Sequence, residues 1–153
     1  MHTEWSLKRS NEMTNQMINI GRLIKRADVS LTRQMNDFAR QNGLTGNQMN
    51  IIDYLSRQED MAADQKAIEN EFNIRRSTTT IILQRMEKRS LIQRIIDPHD
   101  RRRRQVQLTS NARQLVPIVH NYISDQEKRL TDRFSTDELT TVARVLQYIE
   151  EAD

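Results

Sequence analysis

The stretch RIIDPHDRRRRQVQLTS, Arg94–Ser110, places four consecutive arginines between two short apolar runs. Arg101, Arg102, Arg103 and Arg104 repel one another, and only Asp97 and Asp100 lie close enough in sequence to offset them. The run before them, LIQRII (91–96), and the alternating QVQLT (105–109) each read as a short strand. Between them DPHD holds a proline and turn-forming aspartates, which reverse the chain. The stretch is therefore expected to be a β-hairpin with the arginines at or just after its tip. Asp97 and Asp100 are expected to be structural, with Asp100 closing the turn or holding a neighbouring arginine.

Basicity is concentrated around this hairpin. From Arg75 to Arg104 the chain carries ten Arg or Lys against three acids, a local net of +7, whereas the whole chain is only +3. The remainder must then be net −4. A single basic segment on an otherwise acidic chain points to a polyanionic partner, because phosphates relieve the repulsion and release counterions.

Outside the hairpin the period is helical. Met13, Met17, Ile20, Ile24, Ala27, Leu31, Met35 and Phe38 recur at steps of three and four, which predicts a long amphipathic helix near coiled-coil spacing. Gly43 is placed to terminate it, and Thr45 to cap a second helix bearing Met49, Ile52 and Leu55. RQEDMAA reads as a polar connection, Asp64 as the cap of a third helix with Ala67, Ile68 and Phe72, and FNI as a tight turn. A fourth helix follows from about Arg75 to Arg89. After the hairpin a helix resumes at Asn111, with Leu115, Ile118, Val119, Tyr122, Ile123 and Leu130 on one side and Pro117 placed to kink it. Ser135 and Glu138 form a capping-box pattern for a last helix, with Leu139, Val142, Leu146 and Ile149 expected inward. The fold class is mainly α with a small β-hairpin.

The fourth helix divides by face. Thr79, Ile82, Leu83 and Met86 fall on one side and are expected to pack inward. Ser77, Ile81, Gln84 and Lys88 lie opposite, Thr78, Thr80 and Arg85 flank them, and Arg75 and Arg76 sit at the N-terminal end. Hydroxyls, an amide, cations and an outward isoleucine suit the edges of bases in a major groove, and the helix N-terminus suits a phosphate. The bland alternative is an ordinary solvated face. A thin basic hairpin tip suits a narrow minor groove, which attracts arginine.

Three motifs, LTGNQMNIIDYL (44–55), IRRSTTTIILQRMEKRSLIQR (74–94) and DPHDRRRRQVQLTSNA (97–112), resemble successive motifs of the MarR family of winged helix-turn-helix transcriptional regulators. The likeness covers roughly 44–115. The family pattern of Asp, two residues, Asp-Arg-Arg and then Val-x-Leu-Thr stands here as Asp97, Asp100-Arg101-Arg102, Val106 and Leu108-Thr109. The resemblance implies a homodimer joined by helices in 1–42 and 111–153, a DNA-reading lobe over 43–110, a recognition helix at about 75–89 and a wing arginine, Arg101 or Arg102, in the minor groove. Among relatives the regulators of multidrug efflux look most similar. The usual glycine before "LI" is Ser90 here, the one after "LT" is Ala112, and His99 stands at a wing position that is often arginine, shifting the tip contact to Arg101–Arg104.

The expected function is a repressor of transcription that binds double-stranded DNA as a homodimer, on a pseudo-palindromic operator with half-sites about 34–36 Å apart. A small apolar or aromatic effector, bound between dimerisation helices and DNA-reading lobe, would release it. The alternative is a basic helical module that binds RNA or an acidic protein without sequence readout. A nuclease built on Asp97, His99 and Asp100 lacks a second carboxylate cluster, and the same three residues among four arginines make a poor cation site. No enzymatic activity, metal or cofactor is expected. The chain has no cysteine, which excludes disulfides, thiol catalysis and Cys-ligated zinc. No apolar run approaches the roughly 18 residues of a membrane span, and the N-terminus lacks an apolar signal core, so no membrane partner and a cytoplasmic location are expected.

Overall fold

In a computed structural model, which describes residues 18–152, the elements follow in the order α1 (Ile20–Gln41), α2 (Gly46–Ser56), a 3₁₀ turn (Glu59–Met61), β1 (Ala62–Ala63), α3 (Gln65–Phe72), α4 (Arg76–Lys88), β2 (Ile92–Ile96), β3 (Arg104–Leu108), α5 (Ser110–Arg113), α6 (Val116–Thr131) and α7 (Thr136–Glu151). The chain divides into two compact units, one ending at Gly46 and one beginning at Asn47.

The first unit is essentially α1. Asn19 caps it by accepting from Arg22 N at 2.8 Å. The helix ends where Gly43, at φ 69°, turns left-handed and Leu44 N donates to Ala39 O at 2.8 Å. Glycine suits that position because it has no Cβ to strain. Met13 and Met17, expected on this helix, lie outside the described residues. Gly46, the first residue of α2, donates its N–H to Asn36 Oδ1 at 2.8 Å, and a Cβ there would stand 2.7 Å from that oxygen.

The second unit holds the winged core. Met49, Ile51, Ile52 and Leu55 of α2, Ile68 of α3, Leu83 and Met86 of α4, Ile92 of β2, and Val106 and Leu108 of β3 are all buried. Asp64 caps α3 by accepting from Ala67 N at 2.8 Å. Asn73, left-handed at φ 47°, ends that helix and turns the chain into α4. Tyr54 meets Phe72 edge to face, their ring centroids 5.9 Å apart.

The sheet has three antiparallel strands in the order β1-β3-β2, not the two of a bare hairpin. Ala62 and Ala63 pair with Gln107 and Val106 across from Arg94, which also opposes Val106. RQEDMAA, expected as a polar connection, thus supplies a 3₁₀ turn and an edge strand. Two residues are too short to show a strand period, so their pairing is decided by β3 alone.

The helix expected to run on from Asn111 is broken. Thr109 caps α5 through Ala112 N, the chain turns at Gln114 and Leu115, and α6 starts at Val116 with Pro117 in its first turn. Pro lacks an N–H, and the first turn is where that donor has no partner anyway, so the proline starts a helix here and does not kink one. Ser135 and Glu138 form a complete capping box for α7, Ser135 N donating to Glu138 Oε2 at 2.8 Å. Val142, Leu146 and Ile149, expected inward, are exposed within the single chain, as is Tyr148 at 75%.

Candidate nucleic-acid interface

On α4, Thr79, Leu83 and Met86 are fully buried and Ile82 is half-buried. Thr79 turns its hydroxyl back onto Arg75 O at 3.1 Å. Arg75, Arg76, Ser77, Thr78, Ile81, Gln84, Arg85 and Lys88 are exposed, with Ile81 at 49%. Arg75 is the N-cap and makes no side-chain cap bond, so backbone N–H groups of the first turn stay open. Thr80 differs from its neighbours: it is half-buried, and its Oγ1 accepts from Gln65 Nε2 of α3 at 2.9 Å.

The C-terminal end of α4 is anchored from two sides. Arg89 Nη1 donates to Oε1 of the buried Gln48 at 3.2 Å. Ser90 takes φ 56°, and Leu91 N closes onto Met86 O at 2.9 Å, which ends the helix and starts β2. Arg94 of β2 pairs with Glu87 of α4 at 3.6 Å. The first link holds the helix to α2; the turn at Ser90 and the Arg94–Glu87 pair bind it to the hairpin that follows.

The hairpin tip is closed by its aspartates. Asp97 is buried; its Oδ1 accepts from His99 N at 2.8 Å and its Oδ2 from Gln105 Nε2 at 3.3 Å. Asp97 N donates to Arg103 O at 3.0 Å, and Arg103 N to Asp100 O at 2.9 Å. Asp100 Oδ1 accepts from Arg102 N at 3.0 Å. Both carboxylates thus bind backbone, which shapes a turn and leaves arginine side chains unneutralised by them.

The four arginines do not act alike. Arg101 and Arg102 occupy the turn, exposed, and among the described residues neither forms an ion pair. Arg103 folds back to pair with Asp64, the cap of α3. Arg104 lies in β3 opposite Ile96. Neither the Asp64–Arg103 pair nor the Gln65–Thr80 bond follows from sequence spacing, since each joins residues 15 or more positions apart.

Away from this surface, the Asp53 carboxylate gathers two groups. Its Oδ1 lies 2.9 Å from Arg57 Nη2 and 3.3 Å from His120 Nε2, which also meets Ser56 Oγ at 2.8 Å. The bond from Asp53 holds the exposed Arg57 guanidinium above its ordinary range. Burial pushes the Tyr54 phenol up, aided by the carboxylates of Glu71 and Asp64. Serine and aspartate approach the same ring nitrogen of His120, so this cluster is not arranged as a nucleophile–base–orienter relay. Among the described residues no group of three His, Asp or Glu side chains could hold a metal ion, and Asp97, His99 and Asp100 do not converge on one. None of the described helices is long and apolar enough to cross a membrane.

Residues 42–103 match the model of the MarR family. The structure is similar to that of the transcription regulator MarR from Oenococcus oeni PSU-1, with 34% identity and a TM-score of 0.80 over 87% of this chain and 99% of that one. It shares its fold with S. aureus MepR, solved as a DNA complex, at 20% identity and a TM-score of 0.78 over 89% of this chain and 99% of that one. It also shares it with Rhodococcus jostii RHA1 CouR, solved with p-coumaroyl-CoA, at 19% identity and a TM-score of 0.78 over 88% and 94%. A search of the curated proteins found no match. A helix-turn-helix of α3 and α4 that feeds a three-stranded sheet with a basic tip, together with a one-third identity over nearly the whole of a solved regulator, settles the family: the chain belongs to the MarR family.

Proposed function

We infer that this chain is a sequence-specific DNA-binding transcription regulator, with no catalytic role, which acts as a homodimer in the cytoplasm. The observation that carries the reading is the outward face of α4, where Ser77, Ile81, Gln84, Arg85 and Lys88 stand exposed on a helix joined through the Ser90 turn and the Glu87–Arg94 pair to a hairpin with Arg101 and Arg102 at its tip. Arginine and glutamine read guanine and adenine edges, and Ile81 offers an apolar contact for a thymine methyl. Arg101 and Arg102 suit the minor groove beside it.

Exposed apolar residues on α1 (Ile20, Leu23, Val29, Leu31) and on α7 (Val142, Val145, Leu146, Ile149) support pairing through the segments 1–42 and 111–153, with 43–110 reading the DNA. Two recognition helices related by a two-fold axis fit a pseudo-palindrome. Repression is the mode we assign. The Staphylococcus relative's DNA complex supports the partner, and the Rhodococcus relative's acyl-CoA complex supports release by a small ligand with an apolar or aromatic part.

The test is a selection of genomic fragments by the purified protein at near-physiological salt. Enrichment of a short inverted repeat is the expected result. Retention of bulk DNA, with RNA or acidic protein bound equally well, would replace the regulator by a general basic module.

A further inference from the structure

On the reading that α4 enters a major groove, the bond between Gln65 and Thr80 decides what Thr80 can recognise there. Gln65, the first residue of α3, places Nε2 3.1 Å from Glu69 Oε1 and 2.9 Å from Thr80 Oγ1. A carboxylate has no proton to give, so the nitrogen end of the amide must face Glu69. That nitrogen has two protons, one for each contact. Thr80 Oγ1 is therefore an acceptor from inside the protein.

Its own proton has a different fate from that of Thr79. Thr79 donates to Arg75 O at 3.1 Å, one turn back. Among the described residues Thr80 makes no such bond, so its proton remains for an acceptor outside the chain. Glu69 is buried, with its side chain only 8% exposed, and beside Gln65 it polarises the amide and through it the hydroxyl. Glu69, Gln65 and Thr80 form a directed chain that ends on the half-buried Thr80 hydroxyl.

We propose that Gln65 is a positioning residue that makes Thr80 an obligate hydrogen-bond donor to a base edge. Thr80 then selects a base that offers an acceptor in the major groove, a purine N7, guanine O6 or thymine O4, and rejects cytosine, whose N4 only donates. A freely rotating threonine would accept or donate and discriminate little.

Randomised duplexes selected by the purified full chain test this, with wild type, Gln65→Met, Gln65→Glu, Thr80→Ser and Thr80→Val compared at one salt concentration. In wild type one base pair per half-site disfavours cytosine by about three- to tenfold, the range of one neutral hydrogen bond. Thr80→Ser keeps that preference, and Thr80→Val and Gln65→Met flatten it while other positions stay unchanged. Gln65→Glu sets a second carboxylate beside Glu69, is repelled from it and from the position facing Thr80, and flattens the preference as Gln65→Met does. An unaltered profile in Gln65→Met overturns the proposal. So does a uniform loss across all sequences, which would mean that Thr80 meets a phosphate or that Gln65 only packs α3 on α4. Failure of wild type to select any repeat would instead overturn the regulator reading and this inference with it.

Discussion

Asp64 serves two elements at once: one carboxylate oxygen caps α3 through Ala67 N, and the other holds Arg103 at the base of the wing. The start of the helix-turn-helix and the hairpin are thereby tied through one side chain, 39 residues away in sequence from its partner. Arg103 is therefore tied to the start of α3, whereas Arg101 and Arg102 at the tip form no ion pair among the described residues.

Two substitutions separate these roles. Asp64→Ala loses the helix cap together with the partner of Arg103 and is expected to lower unfolding free energy by about 1 kcal/mol in urea denaturation, whereas Arg103→Ala loses the pair alone. Arg103→Ala removes a half-exposed ion pair, which contributes less than about 1 kcal/mol. It should leave stability nearly unchanged yet weaken operator binding by freeing the wing. Operator binding by Arg103→Ala equal to that of wild type would show that the pair is incidental.

Arg101 and Arg102 changed together to alanine should reduce operator affinity strongly while sedimentation still reports the dimer. Each lost phosphate contact also flattens the dependence of log affinity on log salt by about 0.9. A double variant with wild-type affinity and salt slope would remove the tip from the interface.

The exposed face of α7 predicts a dimerisation defect. Leu146→Glu with Ile149→Glu puts two charges where a second copy would bury apolar side chains. The expected outcome is a monomer by sedimentation with an unchanged helical circular dichroism signal. A dimer that survives both charges would place the partner elsewhere.

Ser90 stands at φ 56°, a left-handed conformation that costs a residue with a Cβ about 1–2 kcal/mol. Ser90→Gly removes that strain and adds back some unfolded-state entropy, so a net gain of up to about 1 kcal/mol is expected. A lower melting temperature for Ser90→Gly would show that the serine side chain contributes more than its backbone costs.

Tyr54 ionises above its ordinary value of 10.0 because burial, Glu71 and Asp64 all disfavour the tyrosinate. As pH rises, the unfolded chain loses this proton first. The stability contributed by the neutral phenol is complete below pH 10 and is lost as pH climbs through the folded value. Tyr54→Phe should flatten the alkaline fall in stability. Identical alkaline profiles for variant and wild type would mean that Tyr54 is not linked to unfolding there.

Legible along the chain were the helices with long periodic faces, the caps at Asp64 and Ser135, the turn at DPHD and the concentration of positive charge between Arg75 and Arg104. These are local properties: period, capping and turn chemistry act within a few residues, so they can be read along the chain. The tertiary structure alone decided the rest. Ala62 and Ala63 became a strand because β3 offered an unpaired edge, and the helix after Ser110 broke where a proline could start a new one. Four adjacent arginines acquired different surroundings because Asp64, distant in sequence, reaches only Arg103. The direction of the hydrogen bond at Thr80 was likewise decided by Gln65 and Glu69 on another helix. Pairing, burial and hydrogen-bond direction depend on which side chains meet across the fold, and no spacing along one segment records that.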